Sequence, residues 1–187
     1  MQIFKEKVLA YLETSKFEDA IKLKKEFPVS VLPSDIDPII KKIVGQLESD
    51  PPLSNGEYLS LSRRVKALKA FRDYGPNARK MISTTELTEG YCGKILIVAI
   101  QNGVFTELVC LRSGDLWHRE ILRNTEAELK DLGFFSSSAF EMGGAYVRFE
   151  NDMSITIYKT SDDFGSCDKH LAAKLIKEKF PNRKINI

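Results

Sequence analysis

The sequence predicts an α+β protein: a mixed β-sheet flanked by two main helices, preceded by an all-α N-terminal region. Apolar residues recur at helical spacing from Met1 to about Asp73, and aliphatic runs of strand length begin only after Gly93. Two further helical patterns fall among those runs, as expected where helices cover a sheet. The polar stretch Ser83-Thr-Thr-Glu-Leu-Thr-Glu-Gly90 separates the two regimes. Residues 1–84 are therefore read as a helical bundle and residues 90–187 as a second, α+β domain.

The helical elements follow from their apolar stripes. Ile3, Phe4, Val8, Leu9 and Leu12 share one face, and Ser15-Lys-Phe-Glu18 has the form of a capping box opening a second helix through Ala20, Ile21, Leu23 and Phe27. Pro28 ends it. Ser34 resembles a cap for a third helix carrying Ile36, Ile39, Ile40, Ile43, Val44 and Leu47. After Asp50-Pro-Pro-Leu-Ser-Asn-Gly56, Ser54 and Glu57 suit the start of a fourth, which presents Leu59, Leu61, Val65, Leu68 and Phe71 inward. Its Arg63, Arg64, Lys66, Lys69 and Arg72 read as a solvated face before a surface for nucleic acid. Nothing in this region is catalytic in type, and its expected role is to pack on the later domain or to dock a protein partner.

In the later region, Lys94–Ile100 and Val104–Leu111 are strands joined at Gln101-Asn-Gly103, a hairpin turn. A helix then carries Ile121, Leu122, Leu129 and Leu132 up to Gly133. Phe134–Phe140 leads to Met142-Gly-Gly-Ala145 and the alternating Tyr146–Phe149, and Ser154–Thr160 alternates as a half-buried strand does. The last helix carries Leu171, Ala172, Leu175, Ile176 and Phe180, and Lys184–Ile187 suits a final short strand.

Composition bounds the function. The chain has 187 residues, 43% of them hydrophobic, which supports a packed core in a soluble globular protein. A formal net charge of +2 is too small to require a polyanionic partner, although the positive excess lies before Thr85. Cys92, Cys110 and Cys167 are odd in number and lack close-paired ligand spacing, which suits thiols in a reducing compartment. No apolar run approaches the roughly 18 residues a membrane span needs, so the expected location is the cytoplasm, away from membranes.

The candidate for chemistry is His118, one of two histidines, where a strand hands over to a helix in Arg112-Ser-Gly-Asp-Leu-Trp-His-Arg-Glu-Ile-Leu122. Amide groups at a helix start favour a neutral imidazole, which can act as a general base or nucleophile. The other histidine, His170, reads as a surface or packing residue. Ser161-Asp-Asp-Phe-Gly165 lies between a strand and a helix, where converging N–H groups can hold an anion.

The order of these pieces resembles the Janus or phosphohistidine phosphatase family over residues from about Gly93 to the end. The residues that carry the resemblance are Lys94 at the first strand, Trp117-His118, Gly143-Gly144, Tyr158-Lys-Thr-Ser-Asp-Asp-Phe-Gly165, Asp168 and Ala173-Lys-Leu-Ile176. The family's catalytic Tyr-His-Ala-Asp-like segment matches Trp117-His118-Arg119-Glu120. Its phosphate loop, roughly Tyr-Gly-x-Ser-x-x-Tyr/Phe-Gly, matches Tyr158–Gly165. The resemblance thus implies His118 as catalytic residue and Lys94, Ser161, Asp162, Asp163, Phe164 and Gly165 as substrate-binding residues. Asp162 and Asp163 depart from the family, as does Ala145-Tyr146 where a third glycine and a basic residue are common; Arg112, Arg119 or Arg148 could supply the missing charge.

The implied reaction is hydrolysis of phosphohistidine in a protein, or of a small phosphoramidate, with no cofactor and no metal. His118 would take a proton from water, or accept the phosphoryl group itself. The alternative is a catalytically weak or inactive phosphate- or protein-binding module that docks a partner through its helical region.

Overall fold

The computed structural model describes residues 1–50, 52–114 and 117–187. The chain divides into two compact units: Met1–Ile82 with Gly103–Phe105 and Ala127–Ser137, and Ser83–Asn102 with Thr106–Glu126 and Ser138–Ile187.

The first unit contains α1 (Gln2–Glu13), α2 (Phe17–Glu26), α3 (Pro33–Leu47), α4 (Asn55–Tyr74) and the short α5 (Ala78–Met81), which the sequence pattern did not reveal. The apolar stripes converge, burying Val8, Leu12, Phe17, Ile21, Ile36, Ile40, Ile43, Val65, Leu68 and Phe71. Phe134 packs among them, its ring 6.4 Å from Phe17 and 5.1 Å from Phe105.

One of the three expected N-terminal caps forms. The Ser54 hydroxyl accepts the Glu57 N–H at 3.3 Å, and the Glu57 carboxylate accepts the Ser54 N–H at 3.1 Å. The Ser15–Glu18 capping box does not form: Ser15 sits in a left-handed turn at φ +57°, and Glu18 points inward. There it accepts the Ser136 N–H at 3.0 Å and faces the Lys22 ammonium at 2.7 Å. Ser34 is no cap either, because Pro33 opens α3 one residue earlier; Asp35 accepts the Leu32 N–H at 2.7 Å instead.

Burial alone would raise the Glu18 carboxyl, but Lys22 and Ser136 outweigh it and hold the group below the usual carboxylate range. A depressed folded-state value gives stability that is present above the unfolded value of about 4.3 and is lost as pH falls below it. Glu18→Ala is expected to cost about 2 kcal/mol at neutral pH in urea denaturation and to flatten the acid limb of the stability profile. An unchanged midpoint would show that Ser136 and Lys22 find other partners.

The second unit is built on β1 (Cys92–Asn102), β2 (Phe105–Gly114), β3 (Ser138–Phe149), β4 (Ser154–Tyr158) and β5 (Lys184–Asn186), with α7 (Lys169–Lys179) and α6 (His118–Asp131) as far as Glu126. The sheet order is β2-β1-β3-β4-β5. β1/β3 and β3/β4 are antiparallel and β4/β5 parallel, so the sheet is mixed as expected; α7 supplies the crossover that a parallel neighbour requires. The hairpin turn places Asn102 at φ +71° and Gly103 at φ +61°, the backbone that Asn-Gly favours.

Period-two alternation divides the sheet. Ile95, Ile97, Ala145, Val147, Ile155 and Ile157 form one core with Ala172, Leu175 and Ile176 of α7. The opposite face therefore carries the intervening residues, and register aligns Lys94, Tyr146 and Tyr158 in one row across three strands.

The strands differ from the sequence reading at their ends, and two of the differences shape the site. β3 begins at Ser138 and runs through Gly143-Gly144, with a register shift between Leu96 and Val98 on its partner; Gly143 at φ +86° lets the strand bulge rather than stop. β4 ends at Tyr158 instead of Thr160, because Lys159 turns to φ +57° and leaves the extended conformation.

Candidate functional site

His118 is the first residue of α6, as the strand-to-helix reading expects, and it is only 2% exposed. Its Nε2 lies 3.2 Å from the Ala145 carbonyl oxygen. A carbonyl can only accept, so that nitrogen carries hydrogen, and the lone pair of a neutral ring falls on Nδ1. The ring also stands edge-on to Tyr146, with centroids 5.7 Å apart.

Gly144 shows what the imidazole faces. A Cβ at residue 144 would lie 2.6 Å from His118 Cδ2, 2.8 Å from His118 Nε2 and 2.9 Å from Ser161 Cβ. The imidazole and Ser161 therefore converge from two distant segments on one bare point of β3. The glycine is required by close approach, since any side chain would occupy that point.

The loop from Ser161 to Gly165 closes on itself. Ser161 Oγ accepts the N–H groups of Asp163 at 3.2 Å and Phe164 at 3.1 Å, and the Gly165 N–H donates to the Ser161 carbonyl at 3.1 Å. The Ser161 N–H donates to the Gly144 carbonyl at 3.1 Å and the Gly144 N–H to the Gly165 carbonyl at 3.0 Å, which ties the loop to β3. With both Oγ lone pairs engaged, the buried hydroxyl has only its hydrogen to offer. The start of α7 is closed as well, because the Asp168 carboxylate accepts the N–H groups of His170 and Leu171. His170 itself is exposed.

Charge around this point comes from side chains. The Lys94 ammonium lies 5.7 Å from the Trp117 ring centroid and 5.5 Å from that of Tyr146. The Lys159 ammonium lies 5.2 Å from the Tyr146 centroid and 5.9 Å from that of Tyr158. Of the two acidic departures, Asp163 is paired with Arg119 at 3.0 Å, and Asp162 is exposed. Arg119 is thereby committed to the loop, Arg148 to Glu150 at 2.9 Å, and Arg112 is buried beside Glu86.

Sequence reading overlooked Lys159 and the Arg119–Asp163 pair. The first had a signal, since Lys159 occupies the glycine position of the Tyr-Gly-x-Ser motif. The second pairs two residues 44 apart, each a departure by itself, and only the fold joins them. Of the thiols, Cys92 is exposed and lies beside the Tyr158 hydroxyl, Cys110 and Cys167 are buried, and burial pushes the Cys167 thiol up, away from thiolate chemistry.

Among the described residues, no group of three or more His, Cys, Asp or Glu could hold a metal ion, and no helix is long and apolar enough to cross a membrane. The helical unit has an open groove of about 400 Å³ lined by residues including Gln46, Ser49, Leu61 and Arg64, none of them a histidine or cysteine.

The model of the Janus/Ocnus family (Ocnus) matches residues 80–184. No curated protein matches the chain.

Proposed function

The chain belongs to the Janus/Ocnus family, and from that premise we propose that it is a phosphatase acting on phosphohistidine in a protein or on a related phosphoramidate. The observation that carries the proposal is the convergence of His118 and Ser161 on Gly144. An imidazole edge and a hydroxyl donor set at one point suit the positioning of a phosphoryl group, whose transfer depends on positioning and on offsetting oxygen charge, and Nδ1, on the ring edge turned away from Gly144, is the nitrogen left to take a proton.

In this reading Ser161 Oγ donates its hydrogen to a phosphoryl oxygen, and Lys94 offsets the charge. The amides of Asp163 and Phe164 fix that hydroxyl and the amide of Gly165 holds the Ser161 carbonyl, so the anion rests more on side chains than on a backbone cradle. His118 takes a proton from water through the nitrogen not engaged by Ala145 as the water oxygen bonds to phosphorus. The phosphorus–nitrogen bond breaks, and the proton passes to the departing imidazole nitrogen. The products are inorganic phosphate and histidine. Three thiols suit work in the reducing cytoplasm.

Phosphate release from a histidine-phosphorylated peptide, measured with the full chain, should exceed spontaneous hydrolysis severalfold or more. Release at the spontaneous rate would contradict the enzyme reading and favour the second one, a phosphate- or protein-binding module. Its specific support is the engagement of the loop N–H groups within the loop.

The Arg119–Asp163 pair makes a further prediction. An exposed pair adds little stability, but it offsets a carboxylate beside the anion site. Arg119→Ala should weaken inorganic phosphate binding about threefold, and adding Asp163→Asn should restore it, as a coupled pair requires. Additive effects in calorimetric titration would show that the two residues act independently.

A further inference from the structure

We propose that Lys159 is the second cation of the anion site, in the place of the basic residue that Tyr146 displaces, and that it favours doubly charged phosphoryl groups. The inference rests on the phosphatase reading above and adds a binding residue to it.

Three independent observations converge. The first is backbone conformation: Lys159 adopts φ +57°, which disfavours a residue with a Cβ, although its position in the loop motif is one where glycine fits without strain. Strain kept at an exposed lysine calls for a compensating role.

The second is placement. Lys159 immediately follows Tyr158, which is in register with Tyr146 and, through it, with Lys94. The ammonium groups of Lys94 and Lys159 stand 5.5 and 5.2 Å from the same Tyr146 ring, whose edge-on neighbour is His118. Lys159 is also two residues from Ser161, so it and the donor hydroxyl are held by one short segment.

The third is uncompensated charge. Among the described residues, no carboxylate pairs with Lys94 or Lys159; of the two loop carboxylates, Asp163 is engaged by Arg119, and Asp162 is exposed and pairs with neither lysine. Two like charges gathered on one ring repel, and an anion between them and Ser161 relieves that repulsion. A dianion gains more than a monoanion, which sets the preference. Tyr146 then acts as a platform that positions both ammonium groups by its face.

The test compares the full-length wild type with Lys159→Gly, Lys159→Arg and the exposed control Lys174→Gln, using inorganic phosphate as the probe in calorimetric titration at low salt. Lys159→Gly should bind phosphate about tenfold more weakly while its thermal midpoint equals or exceeds that of the wild type, because glycine accepts the left-handed backbone. Lys159→Arg should keep most of the affinity, and Lys174→Gln all of it. The wild type should also bind more tightly as pH rises through the second phosphate ionisation, and Lys159→Gly should lose most of that gain. Equal phosphate affinity in wild type and Lys159→Gly would overturn the assignment of Lys159 while leaving the phosphatase reading intact. A wild type that neither binds phosphate nor turns over phosphohistidine would overturn both.

Discussion

His118→Ala is expected to lower turnover of a histidine-phosphorylated peptide by roughly 10²- to 10⁴-fold, the range for loss of a positioned general base. The ring has only one place to act from. It is buried at the start of α6, tied through Nε2 to Ala145, and set against Ser161 across Gly144. Truncation also leaves a buried space and an unmet carbonyl, so some loss of stability accompanies the kinetic effect. His118→Gln separates the two: its amide can still donate to Ala145, so folding should be nearly kept while turnover falls as far as in the alanine variant. Turnover retained in a folded His118→Gln protein would remove the base from the mechanism. Loss of turnover in both variants, with urea midpoints that differ, is the expected pattern.

The second large effect should come from Gly144→Ala. The added methyl would stand 2.6–2.9 Å from the imidazole and from Ser161 Cβ, closer than side chains approach one another. Neither neighbour yields easily, since the ring is held by Ala145 and Ser161 by two N–H groups and the Gly144 carbonyl. Overpacking of this kind costs about 1–3 kcal/mol. The kinetic penalty should be larger: a displacement near 1 Å between base and donor is worth about 10²-fold in rate. Turnover corrected for the folded fraction separates the two. Gly56→Ala is the control, because nothing lies within 4 Å of a Cβ there, and it should leave turnover unchanged. Unaltered turnover in Gly144→Ala would mean that His118 and Ser161 need not converge.

Much of the architecture was legible because it depends on pattern. The four long helices announced themselves through apolar stripes, and Ile95, Ile97, Val147, Ile155 and Ile157 marked one buried sheet face through alternation. Cap residues were less reliable. Ser15 and Glu18 have the right types at the right spacing, yet Glu18 bonds to Ser136, a partner 118 residues away that no local rule foresees. The short α5 has too few residues for a period, and the path of β3 through two glycines reads locally as a break.

For the site, sequence order singled out His118, Lys94 and the 161–165 loop, and the structure places His118 and Ser161 beside one glycine. It could not show how the hydrogen bonds are spent. Asp163 and Phe164 donate to Ser161 Oγ, so the expected cradle of amides becomes a support for one hydroxyl. Nor could it join Arg119 to Asp163, whose departures from the family pattern answer each other in space.

The central claim is that the imidazole and the serine loop hold one anion together. Titrating the full chain with inorganic phosphate, while following the His118 ring and the 161–165 amide signals by NMR, measures this directly. The claim predicts that both sets of signals move together with a single dissociation constant, and that both stay still when His170 alone is observed to respond to nonspecific salt. Loop signals that shift while the His118 ring does not, or two unequal dissociation constants, would contradict it.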